Sequence, residues 1–174
     1  MKNIYLQIQL SQIEISELVL ATVTETQGST PQKPGSSALF SRAGLVAGTI
    51  GGGILEGKVQ EMAARLSGSD SPVHKEFYLD ASVEGGEDAL CGGRISVLLD
   101  PCLARYREVF SEIIRCSEQR IPGVLVTRVI PHGPGNISIE REWITGMNTG
   151  FASVSSSDGF REISQSQGPD EEAA

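Results

Sequence analysis

The chain has 174 residues, of which 39% are hydrophobic, and this is enough for one globular domain with a core of its own. Its formal charge of -8 and its scattered basic residues argue against nucleic acid and anionic membranes as main partners, because both select clustered Lys and Arg. Three widely spaced cysteines suit free thiols in a reducing compartment. Without a long apolar span or a signal-peptide block, we expect a cytoplasmic protein.

The first part of the chain predicts a helix or strand followed by a β-hairpin. The apolar spacing over residues 2–15 suits an amphipathic helix, although its alternation suits a strand equally. Residues 18–24 form an apolar, β-branched run that predicts a strand. Residues 36–42 and 45–49 then predict a hairpin around a short Gly-containing turn.

A polar loop over residues 25–35 separates the first strand from the hairpin. Gln27, Ser29, Thr30 and Lys33 supply hydrogen-bond donors and acceptors suited to a polar ligand. A loop of this length with few apolar anchors is often functional, but a solvated connection would look the same.

The glycine run Gly51–Gly53 leads from the hairpin into a helix predicted over residues 54–66. Glycines permit positive φ and close approach, and a helix start presents unpaired N–H groups, so the turn is a candidate anion cradle. A tight strand-to-helix turn needs glycine for conformation alone, which is the alternative. If Gly53 is the N-cap, Glu56 takes the third helical position and bonds back to the cap.

Neither common nucleotide motif fits this turn. The dinucleotide pattern G-x-G-x-x-G fails because Glu56 stands at the third glycine. Gly52 to Lys58 does read G-x-x-x-x-G-K, but Val59 lacks the hydroxyl that would hold magnesium. A nucleotide hydrolase is therefore rejected.

The second half of the chain predicts four strands and one helix. The helix begins at Leu103 and ends before Pro122, with a turn over residues 131–135, and the strands cover residues 73–79, 95–99, 124–130 and 137–144. The predicted fold class is α/β (α+β): one domain over residues 1–160, with a mixed sheet flanked by helices and no Rossmann domain. Residues 161–174 are predicted to form an acidic, flexible tail.

Cys91 differs from Cys102 and Cys116 because it lies between a polar loop and the Gly92-Gly93 pair. The glycines would leave its thiol accessible, and Arg94 could lower the pKa of the thiol, so it is a candidate reactive or ligating sulfur. A buried thiol at the start of a strand is the alternative. Cys102 and Cys116 are predicted to be small core side chains.

Four ordered blocks together resemble the XdhC/CoxI family, accessory proteins of molybdenum hydroxylases. The blocks are Ala21-Thr22-Val23 with Gln27-Gly28-Ser29-Thr30-Pro31, then Gly35, then Gly48-Thr49-Ile50-Gly51-Gly52-Gly53 with Leu55-Glu56, and finally Cys91-Gly92-Gly93 followed by Asp100-Pro101. The likeness is close over residues 1–101. It implies a protein that binds molybdenum cofactor (molybdopterin) as cargo, assists its sulfuration and delivers it to a xanthine dehydrogenase-like apoenzyme.

The resemblance also implies a site. We expect the phosphate of the cofactor at Gly51–Gly53, its pterin at Gln27–Thr30, and Cys91 as a catalytic thiol or a contact to molybdenum. The full expected cofactor-binding set is Gln27, Gly28, Ser29, Thr30, Lys33, Gly51, Gly52, Gly53, Glu56, Gly92 and Gly93. The implied partners are a xanthine dehydrogenase-like molybdoenzyme, a cysteine desulfurase and enzymes of molybdenum cofactor synthesis, and a homodimer is compatible with them.

Two departures from the family pattern bear on this expectation. Members often carry Arg after the loop proline, where this chain has Gln32 followed by Lys33. Many members continue into a Rossmann-like domain, so the chain resembles the N-terminal module. The resemblance favours a cofactor carrier over an enzyme. The open alternatives are a sulfur or group transferase that uses Cys91, and a non-catalytic docking module of the maturation machinery.

Overall fold

The structure, a computed structural model, describes residues 3–79 and 92–146, and the backbone of residues 161–167. Its helices are α1 (Ile4–Leu10), α2 (Gly53–Leu66) and α3 (Arg107–Glu118), with short 3₁₀ turns at Ile15–Glu17 and Leu103–Tyr106. Its strands are β1 (Val19–Gln27), β2 (Ser37–Ser41), β3 (Gly44–Gly48), β4 (Val73–Tyr78), β5 (Arg94–Asp100), β6 (Gly123–Gly133), β7 (Asn136–Thr145) and β8 (Arg161–Gln167). Of the two alternatives for the N-terminal segment, the helix is the one that forms.

The strands form two antiparallel sheets. The five-stranded sheet has the order β3-β2-β1-β5-β4, and the three-stranded sheet has the order β7-β6-β8. The predicted α+β class is confirmed, but the expected single mixed sheet is replaced by two sheets in which every observed pairing is antiparallel. Because β1 is the central strand of the larger sheet, the loop that follows it leaves the sheet at the middle of one of its ends.

Helices cover both faces of the five-stranded sheet. Alternate residues of β1, Val19, Ala21 and Val23, face α2 and pack against Leu55 and Val59 in one apolar cluster. On the other face, a second cluster joins α1 and α3 to this sheet and to the three-stranded sheet; it includes Tyr5, Leu20, Leu39, Phe110 and Leu125. Burial of these apolar side chains on both faces places the core in two layers around β1.

A buried ion pair joins the two sheets. Asp100 ends β5 and Arg141 lies on β7, and their side chains are 0% and 1% exposed. The Arg141 guanidinium also lies 4.8 Å from the centroid of the Tyr106 ring. A buried charge is costly without a partner, so this contact fixes how the sheets face each other.

The observed strands differ from the sequence-based predictions in two places. Residues 161–167, assigned to a flexible tail, form β8 and pair with β6 from Gly123 to Val129. The sequence of this segment is mostly polar, so no apolar pattern marks it as a strand. Pro131, expected in a turn, pairs with Ile137 inside the β6–β7 hairpin. Among the described residues, the pairing of β6 with β8 reaches Val129 and does not include Pro131, which has no backbone N–H to donate.

Among the described residues, no helix is both long enough and apolar enough to cross a membrane.

Candidate functional site

Backbone segments from three of the predicted blocks meet where β1 ends. A methyl group built at Gly93 would lie 2.2 Å from the Ser29 carbonyl oxygen and 2.8 Å from that of Gln27. A methyl at Gly28, whose φ is +72°, would lie 3.3 Å from the Gly92 carbonyl oxygen. Backbone can come this close only where side chains are absent, so these glycines let the loop after β1 rest on the start of β5.

The glycine turn before α2 approaches the same loop. A methyl at Gly51 would lie 2.6 Å from Cγ of Pro31, and Gly51 has a φ of +132°. We call the combined surface of residues 27–31, 51–53 and 92–93 the glycine surface. The structure thus brings together Gln27, Gly28, Ser29, Gly51, Gly92 and Gly93 from the expected set, which are separate in sequence.

Gly52 and Gly53 present open backbone. Their φ values are +71° and +59°, and a methyl group at either residue would meet nothing within 4 Å. Gly53 is exposed and Gly52 is partly exposed. The conformational explanation of the glycine run therefore applies, because the turn needs positive φ. The anion cradle stays a prediction, with which the open backbone is compatible.

The side chain of Glu56, near the start of α2, stabilises this turn through hydrogen bonds. Its Oε2 accepts hydrogen bonds from Thr49 Oγ1 at 2.7 Å, Ile50 N at 3.1 Å and Gly52 N at 3.4 Å. The N-cap is Gly52 rather than Gly53, so Glu56 occupies the fourth helical position instead of the third. The expected bond back to the cap is present, and the carboxylate holds the two amides before the helix.

The remaining loop residues are ordered mainly by bonds within the loop. Thr30 Oγ1 donates to the Gln32 carbonyl oxygen at 3.0 Å, and Ser36 Oγ donates to Gln32 Oε1 at 2.9 Å. Lys33 is exposed and its carbonyl oxygen accepts from Ser36 N at 3.1 Å. The loop is therefore a folded element with outward-facing polar groups, among them Lys33, at the edge of the glycine surface.

Cys91, the candidate thiol and molybdenum contact, lies outside the described residues. Its neighbour Gly92 donates from N to the Leu79 carbonyl oxygen at 3.1 Å, and Leu79 N donates to Gly93 at 2.7 Å. These two hydrogen bonds hold Gly92 and Gly93 against the end of β4.

Sequence reasoning missed a polar row beside the glycine surface. Tyr78, Arg94 and Gln27 are cross-strand partners on β4, β5 and β1. Arg94 Nη1 lies 3.1 Å from Glu76 Oε2, and Tyr78 Oη donates to Glu76 Oε1 at 2.6 Å. The spacing of Glu76 and Tyr78 on one strand face was the available signal, but strand pairing was needed to place Arg94 between Tyr78 and Gln27.

Cys102 and Cys116 are both buried, as expected for small core side chains. Cys102 Sγ donates to the Asp70 carbonyl oxygen at 3.1 Å. Burial is the main cause that raises the pKa of the Cys102 thiol, which therefore stays protonated near neutral pH. Neither sulfur lies in the glycine surface.

A separate groove of about 450 Å³ lies between α1, the segment after it and α3. Its walls include Ile8, Ile13, Arg107 and Phe110. None of the expected site residues lines it, so it is distinct from the glycine surface.

The comparisons with known proteins agree with this architecture. A crystal structure of a xanthine dehydrogenase from Bacillus halodurans superposes with a TM-score of 0.70 at 21% sequence identity, over 97% of this chain and 53% of that one. The chain therefore spans about half the length of that relative, and at this identity the likeness concerns the fold. No curated protein sequence matches.

The family model of XdhC and CoxI matches residues 16–77. This range runs from the turn before β1 into β4, and it includes both the polar loop and the Gly51–Gly53 turn. The resemblance that the sequence indicates is thereby confirmed over residues 16–77.

Proposed function

We propose that this chain is an accessory protein of a xanthine dehydrogenase-like molybdenum hydroxylase, which binds molybdenum cofactor as cargo and assists its sulfuration and insertion. The supporting observation is the packing of Gly93 against the Ser29 carbonyl and of Gly51 against Pro31, which joins the loop, the glycine turn and Gly92-Gly93 into one surface. The family-model match over residues 16–77 and the fold shared with a chain named xanthine dehydrogenase support the accessory role.

The residues present fit the chemistry of this cargo. Molybdopterin combines a phosphate, a hydrogen-bonding pterin and a sulfur-bound metal. Open backbone at Gly52 and Gly53 suits the phosphate, although Glu56 already holds the amides of Ile50 and Gly52. The donors that remain for an anion are the first-turn amides of α2, beginning with that of Gly53, which have no acceptor within the helix.

The other contacts come from the loop and the Cys-Gly-Gly block. Ser29, Thr30 and the amide of Gln27 supply hydrogen bonds for a pterin edge, and exposed Lys33 supplies a positive charge. A methyl group at Gly92 would meet nothing within 4 Å, and the role proposed for Cys91 is a contact to molybdenum or sulfur. The cofactor itself provides oxygen-atom and sulfur chemistry once it is in the client enzyme, while this chain holds and presents it.

The test is the pterin content of purified protein. The chain is purified from cells that make molybdopterin and from cells that cannot, and bound pterin is oxidised to its fluorescent form and quantified. We expect close to stoichiometric pterin from the first cells, and activation of a client apoenzyme by the loaded protein. Absence of pterin together with binding to the client would contradict the carrier and support the docking module.

The role of Cys91 has its own test. We expect Cys91→Ala to leave thermal unfolding unchanged and to reduce cofactor retention or sulfur transfer to the cofactor. Retained cofactor with lost sulfur transfer would favour the transferase alternative. Unchanged cofactor retention and unchanged activation of the client enzyme would show that Cys91 has only a structural role.

A further inference from the structure

Tyr78, Arg94 and Gln27 form a row across three neighbouring strands. Arg94 on β5 pairs with Tyr78 on β4 and with Gln27 on β1. Residues directly opposite each other in antiparallel strands project from the same face, with Cβ atoms about 4.5–5.5 Å apart. Because Arg94 follows Gly93 and Gln27 belongs to the glycine surface, the row begins in that surface and continues across β5 to β4.

Glu76 holds two members of this row in place. One carboxylate oxygen accepts the Tyr78 hydroxyl at 2.6 Å, and the other lies 3.1 Å from Arg94 Nη1. The hydrogen bond to Glu76 raises the pKa of the Tyr78 phenol, which therefore remains a neutral donor near neutral pH. The phenol ring and the guanidinium are thus fixed relative to each other before any ligand arrives.

Stability alone does not account for the row. Tyr78 is 44% exposed and the Arg94 side chain is 37% exposed. Exposed ion pairs contribute little to folding, and ordering long side chains costs conformational entropy. The neighbouring residue Phe77 enters the core from the opposite face of the sheet and already anchors β4.

We propose that Tyr78, Arg94 and Gln27 are a recognition platform for the planar heterocycle of the ligand. The inference rests on the proposed function and assigns the pterin to this row, next to the 27–30 loop. The ring stacks on Tyr78, an anionic substituent pairs with the Arg94 guanidinium, and the Gln27 amide bonds to the edge of the ring. An exposed aromatic ring and a planar guanidinium are the groups that bind flat, electron-poor heterocycles with a negative substituent.

The test is a fluorescence titration with two probes, pterin and pterin-6-carboxylic acid, which differ by one carboxylate. We expect the wild-type chain to bind the carboxylated probe more tightly. Tyr78→Leu should raise the dissociation constants of both probes on the order of tenfold, because each probe loses one aromatic stacking partner. Arg94→Gln should weaken binding of the carboxylated probe only, so that the dissociation constants of the two probes converge.

Lys75→Gln is the matched control, because Lys75 is an exposed residue of β4 that pairs with Val97 and projects from the other face. It should leave both dissociation constants unchanged, and thermal unfolding of each variant checks that the fold is intact. Equal affinities in the wild type and all three variants would overturn the platform.

Pterin content of the variants purified from molybdopterin-making cells separates the two proposals. Cofactor retained by the wild type and equally by Tyr78→Leu and Arg94→Gln would refute the platform while leaving the carrier function in place. Probe binding that depends on Tyr78 in a chain that never carries cofactor would refute the carrier and leave the platform.

Discussion

Asp100 on β5 binds Arg141 on β7, and neither side chain is more than 1% exposed. The second carboxylate oxygen of Asp100 accepts from Cys102 N at 2.7 Å, so both oxygens are occupied. Arg141 lies over Tyr106, whose hydroxyl in turn donates to the Ile139 carbonyl. This set of contacts connects the five-stranded sheet, which carries the glycine surface, to the three-stranded sheet.

Asp100→Ala is expected to lower the free energy of unfolding by about 3–5 kcal/mol, because it leaves the Arg141 charge buried without its partner. Urea unfolding followed by circular dichroism measures the loss. The matched control is Glu112→Gln, which weakens the exposed Glu112–Arg115 pair on α3 and should lower the free energy of unfolding far less, because exposed ion pairs contribute little. Equal, small losses in the two variants would show that Asp100 is dispensable.

The Glu112–Arg115 pair also predicts a pH dependence. The hydrogen bond from Arg115 holds the pKa of Glu112 below its usual value. A carboxylate whose pKa is lowered on folding contributes stability above its unfolded-state pKa, and loses that contribution as the pH falls through the folded-state pKa. The difference in urea midpoint between wild type and Glu112→Gln should therefore shrink in acid, and a difference that grows there would contradict the assignment.

Glu56→Ala should loosen the glycine turn, since three donors lose one shared acceptor. We expect a loss of about 1–3 kcal/mol in unfolding free energy and faster amide hydrogen exchange at Ile50 and Gly52. Glu61→Ala is the control, because Glu61 is an exposed residue on the same helix. Unchanged exchange at both amides in Glu56→Ala would show that the turn is held by its glycines alone.

Cys102→Ala is expected to change stability by about 1 kcal/mol and to leave cofactor content unchanged. Burial and the raised pKa predict slow alkylation of Cys102 by iodoacetamide at pH 7, with a rate that increases toward alkaline pH. Peptide mapping of labelled native protein measures this. A selective loss of cofactor in Cys102→Ala would show that the wrong sulfur was chosen.

Much of the fold follows from local sequence. The apolar spacing of Leu55, Val59 and Ala63 predicts α2, and the apolar runs on either side of Arg42 predict the β2–β3 hairpin. Both predictions succeed because the apolar face that each element buries is formed by its own residues. The sequence of residues 161–167 shows no such apolar pattern, so this strand could not be predicted without knowing that it pairs with β6.

The site is less predictable than the fold. The glycines mark where backbone can come close, but nothing near Gly93 indicates that its partner is the Ser29 carbonyl. The row of Tyr78, Arg94 and Gln27 likewise depends on strand register, and the Asp100–Arg141 pair joins residues 41 positions apart. Such contacts are set by tertiary packing, which local propensity does not encode.

The most direct test of the cofactor surface is the pterin content of Gly93→Ala beside Gly57→Ala, each purified from molybdopterin-making cells. A methyl at Gly93 would lie 2.2 Å from the Ser29 carbonyl oxygen, whereas a methyl at Gly57, on α2, would meet nothing within 4 Å. We predict that Gly93→Ala remains folded but loses most of its bound pterin, while Gly57→Ala keeps the wild-type amount. Equal pterin in the two folded variants would contradict the assignment of the cofactor to the glycine surface.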